Sequence, residues 1–130
     1  MAEMSNYLEN ALLNATLNAT TYTAPATVYV SLWTSDPTDA GSGTEVSGGS
    51  YARTAVSFAT ASGTSGNVLN DADVTFPTAT ASWGTVGWIG INDALSSGNL
   101  LYHTALDTAK TIDSGDIFKI STGNLSVTLA

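Results

Sequence analysis

The hydrophobic pattern divides the chain into one helical segment followed by a longer run of short strands. Leu8 and Leu12 recur at a helical spacing and predict an apolar helix face. Asn6 and Glu9 have the spacing of a capping pair, in which the asparagine accepts a free N–H and the glutamate reaches back. We therefore expect a helix over about residues 6–18.

After residue 26 the period of the pattern changes from helical to alternating. The stretch TVYVSLW at 27–33 alternates apolar residues with others and is typical of a strand. Further strands, separated by turns rich in Gly, Asn and Asp, are expected at 51–58, 68–70, 74–76, 82–91, 100–106, 117–121 and 125–129. This spacing predicts a mainly β fold, an antiparallel β-sandwich of about seven or eight strands, Ig-like or jelly-roll-like, after one N-terminal α-helix. We divide the chain into a helix and docking arm, 1–26, and a sandwich domain, 27–130.

The chain carries little charge, and most of it is negative. Only 11% of the residues are charged, against about 25% in typical domains, whereas 20 Thr and 15 Ser are present. Three basic against eleven acidic residues give a net charge of −8. Because nucleic acids and anionic membranes both attract clustered cations, we expect neither as a partner. No apolar run approaches the about 20 residues of a membrane span, and we expect no signal peptide.

Few residues of the chain are suited to catalysis or to metal binding. The absence of cysteine and the single histidine exclude a thiol nucleophile and a histidine-rich metal site. We interpret His103, in the middle of a predicted strand, as a structural residue with one hydrogen bond. Acidic pairs such as Asp71 and Asp73 lie in turns, where carboxylates accept backbone N–H groups; calcium binding is the weaker alternative. The sequence therefore predicts a protein that is not an enzyme, with no catalytic residue, metal ligand or cofactor.

The predicted strands contain most of the aromatic residues, among them Trp33 and Trp83. We expect these side chains to pack in the core, with stacking on sugars as the alternative. The long turn-rich segment 35–50 is the preferred place for such glycan recognition. Strand glycines, including Gly87 and Gly90, indicate bulges or close backbone approach.

Three stretches of the sequence resemble a known family of small proteins from tailed bacteriophages. They are TVYVSLWTSDPTDAGSGTEVSGGSYARTAVSF at 27–58, DVTFPTATASWGTVGWIGINDA at 73–94 and GNLLYHTALDTAKTIDSGDIFKISTGNLSVTLA at 98–130. Members are often described as tail-fibre-like or virion structural proteins. The resemblance implies a virion component that is synthesised in the host cytoplasm, and it supplies no catalytic residues to carry over.

Two places in the virion are compatible with these observations. The absence of a coiled coil and of repeats favours a capsid decoration or cement protein, which stabilises the assembled head by binding the major capsid protein or other virion subunits. The alternative is a tail-fibre or tail-tip appendage with host receptor or glycan binding. In both cases we expect a homo-oligomer. The candidate partner interface comprises Leu8, Leu12, Leu13 and Tyr22; alternatively, the helix face covers the protein's own core.

Overall fold

The computed structural model describes residues 2–129, in which one α-helix and nine strands are present. In chain order these are β1 (Glu3–Met4), α1 (Asn6–Leu17), β2 (Val28–Trp33), β3 (Thr54–Val56), β4 (Asn67–Leu69), β5 (Val74–Thr75), β6 (Gly84–Asn92), β7 (Leu100–Ile112), β8 (Lys119–Ile120) and β9 (Ser126–Thr128). The prediction of a mainly β protein with one N-terminal helix is confirmed.

Five of the strands form one antiparallel sheet in the order β1-β7-β6-β2-β3. At its centre, Val30 of β2 lies opposite Ile91 of β6, and Leu32 lies opposite Ile89. Directly opposed residues of an antiparallel pair point to the same face of the sheet. All four of these side chains are buried, so this face of the sheet forms one side of the core.

The second layer consists of two short ribbons, β4 with β9 and β5 with β8. Val74 and Val127 from these ribbons, and Phe118 directly before β8, belong to the same hydrophobic cluster as Val30 and Leu32 of the large sheet. The result is a two-layered antiparallel β-fold around one core, which confirms the predicted fold class. The strands number nine rather than seven or eight, because the short strand β1 precedes the helix.

The N-terminal residues are joined to the sheet through β1 and the helix cap. The pattern predicts no strand before the helix, yet Glu3 pairs with His103 of β7. Ser5 caps α1, since its hydroxyl accepts the N–H of Leu8 at 3.2 Å and donates to a carbonyl of β7. The predicted cap at Asn6 is wrong, because Asn6 is already the first helical residue. Contacts with the sheet, which the local sequence does not reveal, determine where the helix begins.

Strand β7 continues to Ile112, beyond the predicted end at residue 106. Ala105 lies opposite Trp88 of β6, and pairing resumes with Lys110 opposite Val86. Gly87, the one β6 residue between these two pairs, therefore faces four residues of β7, 106–109, which form a large bulge.

Among residues 2–129, no helix is both long and apolar enough to cross a membrane.

Candidate functional site

The predicted docking residues of α1 fall into two groups. Leu8 is buried, Leu12 is half-buried, and the helix contacts β7. Leu13 is 54% exposed, and Leu17, one turn later, is 75% exposed. The helix thus covers its own fold with one side and presents Leu13 and Leu17, which we call the outer helix face, to solvent.

Tyr22 lies in the irregular segment between α1 and β2 and is half-buried. Burial raises the pKa of Tyr22, and its neighbours Tyr7, Asp93 and Tyr102 raise it further. The phenol therefore lies beside residues of α1, β7 and the turn after β6. The segment that follows the helix folds back along the domain at this point.

His103 of β7 is 5% exposed and lies beside the N-terminal strand. Its Nε2 atom lies 2.8 Å from Oδ1 of Asp39 and 3.9 Å from Oε2 of Glu3. The bond to Asp39 agrees with the structural role expected for this histidine, and it joins β7 to the segment after β2. The sequence pattern does not predict the meeting of these three residues, because they are far apart along the chain.

Segment 35–50 is fixed to the body by a network around Arg53. Two guanidinium nitrogens of Arg53 donate to the two carboxylate oxygens of Glu45 at 2.9 and 2.8 Å, and a third donates to two carbonyls in the turn after β6. Tyr51 also donates to Glu45, at 2.7 Å. The hydrogen bond to Glu45 raises the pKa of Arg53, whereas burial, followed by the bond to Glu45, raises the pKa of Tyr51.

The large aromatic residues of the predicted strands pack mainly inside the protein. Trp33 and Trp83 are buried, and their indole N–H groups donate to the Ser31 hydroxyl at 2.8 Å and the Gly49 carbonyl at 2.9 Å. The expectation of core packing is confirmed for Trp83, which belongs to the hydrophobic cluster, whereas Trp33 is buried on the opposite face of the large sheet. Segment 35–50 contains no aromatic residue, so it offers no stacking platform of its own for sugars.

The turn carboxylates act as hydrogen-bond acceptors. Asp36 accepts the N–H of Thr38, two residues on, at 2.9 Å, as the turn pattern predicts. Asp73 accepts both the N–H and the hydroxyl of Thr122, at 2.7 and 2.9 Å, and lies 3.2 Å from Lys119. The pKa of Asp73 is lowered most by the hydrogen bond from the Thr122 backbone N–H, and then by the bonds from the Thr122 hydroxyl and from Lys119. Within residues 2–129, the group of three possible metal ligands is Glu3, Asp39 and His103, not the Asp71–Asp73 turn.

An open groove of about 580 Å³ lies between the β7 bulge and β8. Buried Ile112 and Phe118 and exposed Lys110 and Lys119 contribute to its lining. Lys119 pairs with Asp73, whereas the Lys110 side chain has no ion pair or hydrogen bond with any described residue. Two of the three basic side chains of an acidic protein therefore lie in one groove.

The fold and these surfaces describe a small β domain with an exposed apolar helix face. A family model described as "Podophage GP4 fiber I protein gp80" matches residues 3–128. Because the match spans nearly the whole chain, the protein belongs to this family and is a bacteriophage virion structural protein. Comparison with curated proteins gave no match.

The family favours the tail-fibre alternative over capsid decoration, because it is a family of fibre proteins. The expectation of a decoration protein depended on the absence of a coiled coil and of repeats. A fibre assembled from several proteins does not require each of them to supply its length, so a short chain without coiled coil or repeats is compatible with a fibre.

Proposed function

We propose that this protein is a non-enzymatic subunit of a phage tail fibre, which binds other virion subunits and copies of itself. The family match over residues 3–128 carries this proposal. The structure supports it by pairing a β body around one core with an apolar surface that the body leaves open. A protein that works by being incorporated into an assembly needs both features.

The outer helix face is the proposed contact with a neighbouring virion subunit. Leu13 and Leu17 are four residues apart, so they lie together on α1, where a surface helix normally carries polar residues. Glu9 is the one charged residue of α1. A second acidic subunit therefore meets little like-charge repulsion on this side of the molecule.

The position of the protein on the virion tests the proposed function directly. An affinity-tagged copy labelled with gold, or density in a cryo-EM map into which the β domain fits, is expected at the tail fibres. Density repeated over the capsid lattice, with none at the tail, would instead establish a decoration protein.

Incorporation of variants into virions tests the helix contact. The double variant Leu13→Ser, Leu17→Ser is expected to reduce incorporation when it complements a phage that lacks the gene. Leu95→Ser, at a 56% exposed position in the turn after β6, is the matched control and should be incorporated normally. Point variants are preferable to removal of residues 1–20, because β1 and the buried Leu8 belong to the fold. Normal incorporation of the double variant would exclude this face as the contact.

A further inference from the structure

We propose that Glu3, Asp39 and His103 form a binding site for a divalent transition-metal ion with zinc-like coordination. The residues come from β1, the segment after β2, and β7, and their ligand atoms lie within 4.8 Å of one another. Together they supply one imidazole nitrogen and two carboxylate oxygens, a donor set that suits zinc or manganese.

The distances in this cluster fit an ion after small movements of two side chains. In a tetrahedral site with bonds of about 2.1 Å, ligand atoms lie about 3.4 Å apart. The observed distances from Nε2 of His103, 2.8 Å to Asp39 and 3.9 Å to Glu3, lie on either side of that value. The two carboxylates belong to side chains that are 50% and 72% exposed, so they adjust easily, whereas the buried imidazole is held in place.

The charges around the cluster also favour a cation. Two carboxylates lie close together in a chain with a net charge of −8. Within the described residues, neither Glu3 nor Asp39 pairs with a lysine or arginine. A divalent ion neutralises both carboxylates, and water fills the remaining coordination position because the two acidic side chains lie at the surface.

Metal binding would fasten the N-terminal strand to the body. The strand β1 has two residues, and Glu3 is one of them. An ion held by Glu3, Asp39 and His103 cross-links β1, the segment after β2, and β7. Residues 2–5 should therefore exchange their backbone amide hydrogens more slowly in the presence of the metal.

Isothermal titration of the metal-free protein with zinc chloride tests the site. We expect saturable binding of one zinc ion and a rise in melting temperature of about 10 °C at a zinc concentration about 100 times the Kd. Glu3→Gln should weaken binding about tenfold or more and leave the metal-free stability unchanged, because the Glu3 side chain makes no hydrogen bond within the described residues. His103→Gln, which removes the nitrogen ligand, should weaken binding at least as much.

Asp107→Asn is the matched control, because it removes one exposed acidic charge on β7 outside the cluster. It should bind zinc as the unmodified protein does. The proposal is wrong if no saturable binding occurs up to about 1 mM zinc. Binding that is equally strong in Glu3→Gln and His103→Gln would also overturn it, because the ions would then lie on other surface carboxylates.

Discussion

Gly90 lies directly opposite Ser31 in the β2–β6 pair, and the Ser31 hydroxyl fills the space beside the missing side chain. This hydroxyl donates to Oδ1 of Asn92 at 2.6 Å and accepts the indole N–H of Trp33 at 2.8 Å. All three polar side chains are buried in the sheet. The glycine therefore makes room for a buried network of hydrogen bonds.

Gly90→Ala is expected to destabilise the protein by about 1–3 kcal/mol. The added Cβ would lie 2.7 Å from Cδ1 of Leu100 and 2.8 Å from the Ser31 hydroxyl, which is closer than van der Waals contact allows. The control is Gly87→Ala in the same strand, where nothing lies within 4 Å of an added Cβ. Urea unfolding should show a change within about 0.5 kcal/mol for the control. Equal losses for the two variants would contradict this account.

Asn70→Ala is expected to cost about 2–4 kcal/mol of unfolding free energy. The buried amide of Asn70 accepts the N–H of Leu125 at 2.9 Å and donates to the carbonyls of Ala72 and Ser121 at 2.9 and 3.2 Å. Its removal leaves backbone groups without partners inside the second layer. Asn67→Ala, in the neighbouring half-buried position with one side-chain bond to Thr128, should cost about 1 kcal/mol or less. Chemical unfolding of both variants measures the difference.

Tyr51→Phe is expected to cost about 1–2 kcal/mol. The lost hydroxyl donates to Glu45 and accepts the N–H of Leu32 at 3.0 Å, whereas the ring contacts with Phe76 and Trp83 are retained. Tyr29→Phe is the control, since the Tyr29 hydroxyl has no hydrogen bond with a described residue. Thermal unfolding should place the Tyr51 variant clearly below the Tyr29 variant; the reverse order would count against the network.

Acid should weaken the fold in part through Asp73, whose pKa is lowered below 3.8 in the folded state. A carboxylate with a lowered pKa stabilises the fold at higher pH and loses this effect as the pH falls through its folded pKa. The melting temperature of Asp73→Asn should therefore lie below that of the unmodified protein near neutral pH and converge with it below about pH 4.

Asp107→Asn changes the net charge equally and provides the control for this pH series. It should follow the unmodified protein closely across the same range, because the Asp107 side chain has no ion pair or hydrogen bond with a described residue. A constant gap between Asp73→Asn and the unmodified protein at every pH would show that the carboxylate charge is not responsible.

The strands that can be predicted from the sequence are those in which apolar core residues alternate with residues of the opposite face. β2 is expected at 27–33 and lies at Val28–Trp33, because Val30 and Leu32 face the core and alternate with Ser31 and Trp33. β7 extends past residue 106 through exposed residues that have no such alternation, so backbone pairing alone defines its end. The bulge or close approach predicted at the strand glycines is present at both positions. Gly87 lies opposite the bulge in β7, and Gly90 permits the close approach of the Ser31 and Leu100 side chains.

The candidate sites depend on tertiary structure that local patterns do not contain. The helix period places Leu8, Leu12 and Leu13 near one another but does not say which side the sheet covers. Glu3, Asp39 and His103 meet only because β1 pairs with β7 and the segment after β2 folds across it. No spacing rule for a metal site connects residues at such separations, and a single histidine among many acidic residues gives no distinguishing signal.

The bulge in β7 limits the addition of a further strand to this side of the sheet. β1 pairs with only Tyr102 and His103 of β7, so a strand approaching the rest of this side of β7 encounters the displaced residues 106–109 and the charges of Asp107 and Lys110. Continuous backbone pairing along the edge is thereby interrupted, which is how natural sheets avoid uncontrolled strand addition. The open side of β7 therefore offers no continuous template for the addition of a strand from another molecule, which lowers the tendency of the protein to form β-aggregates there.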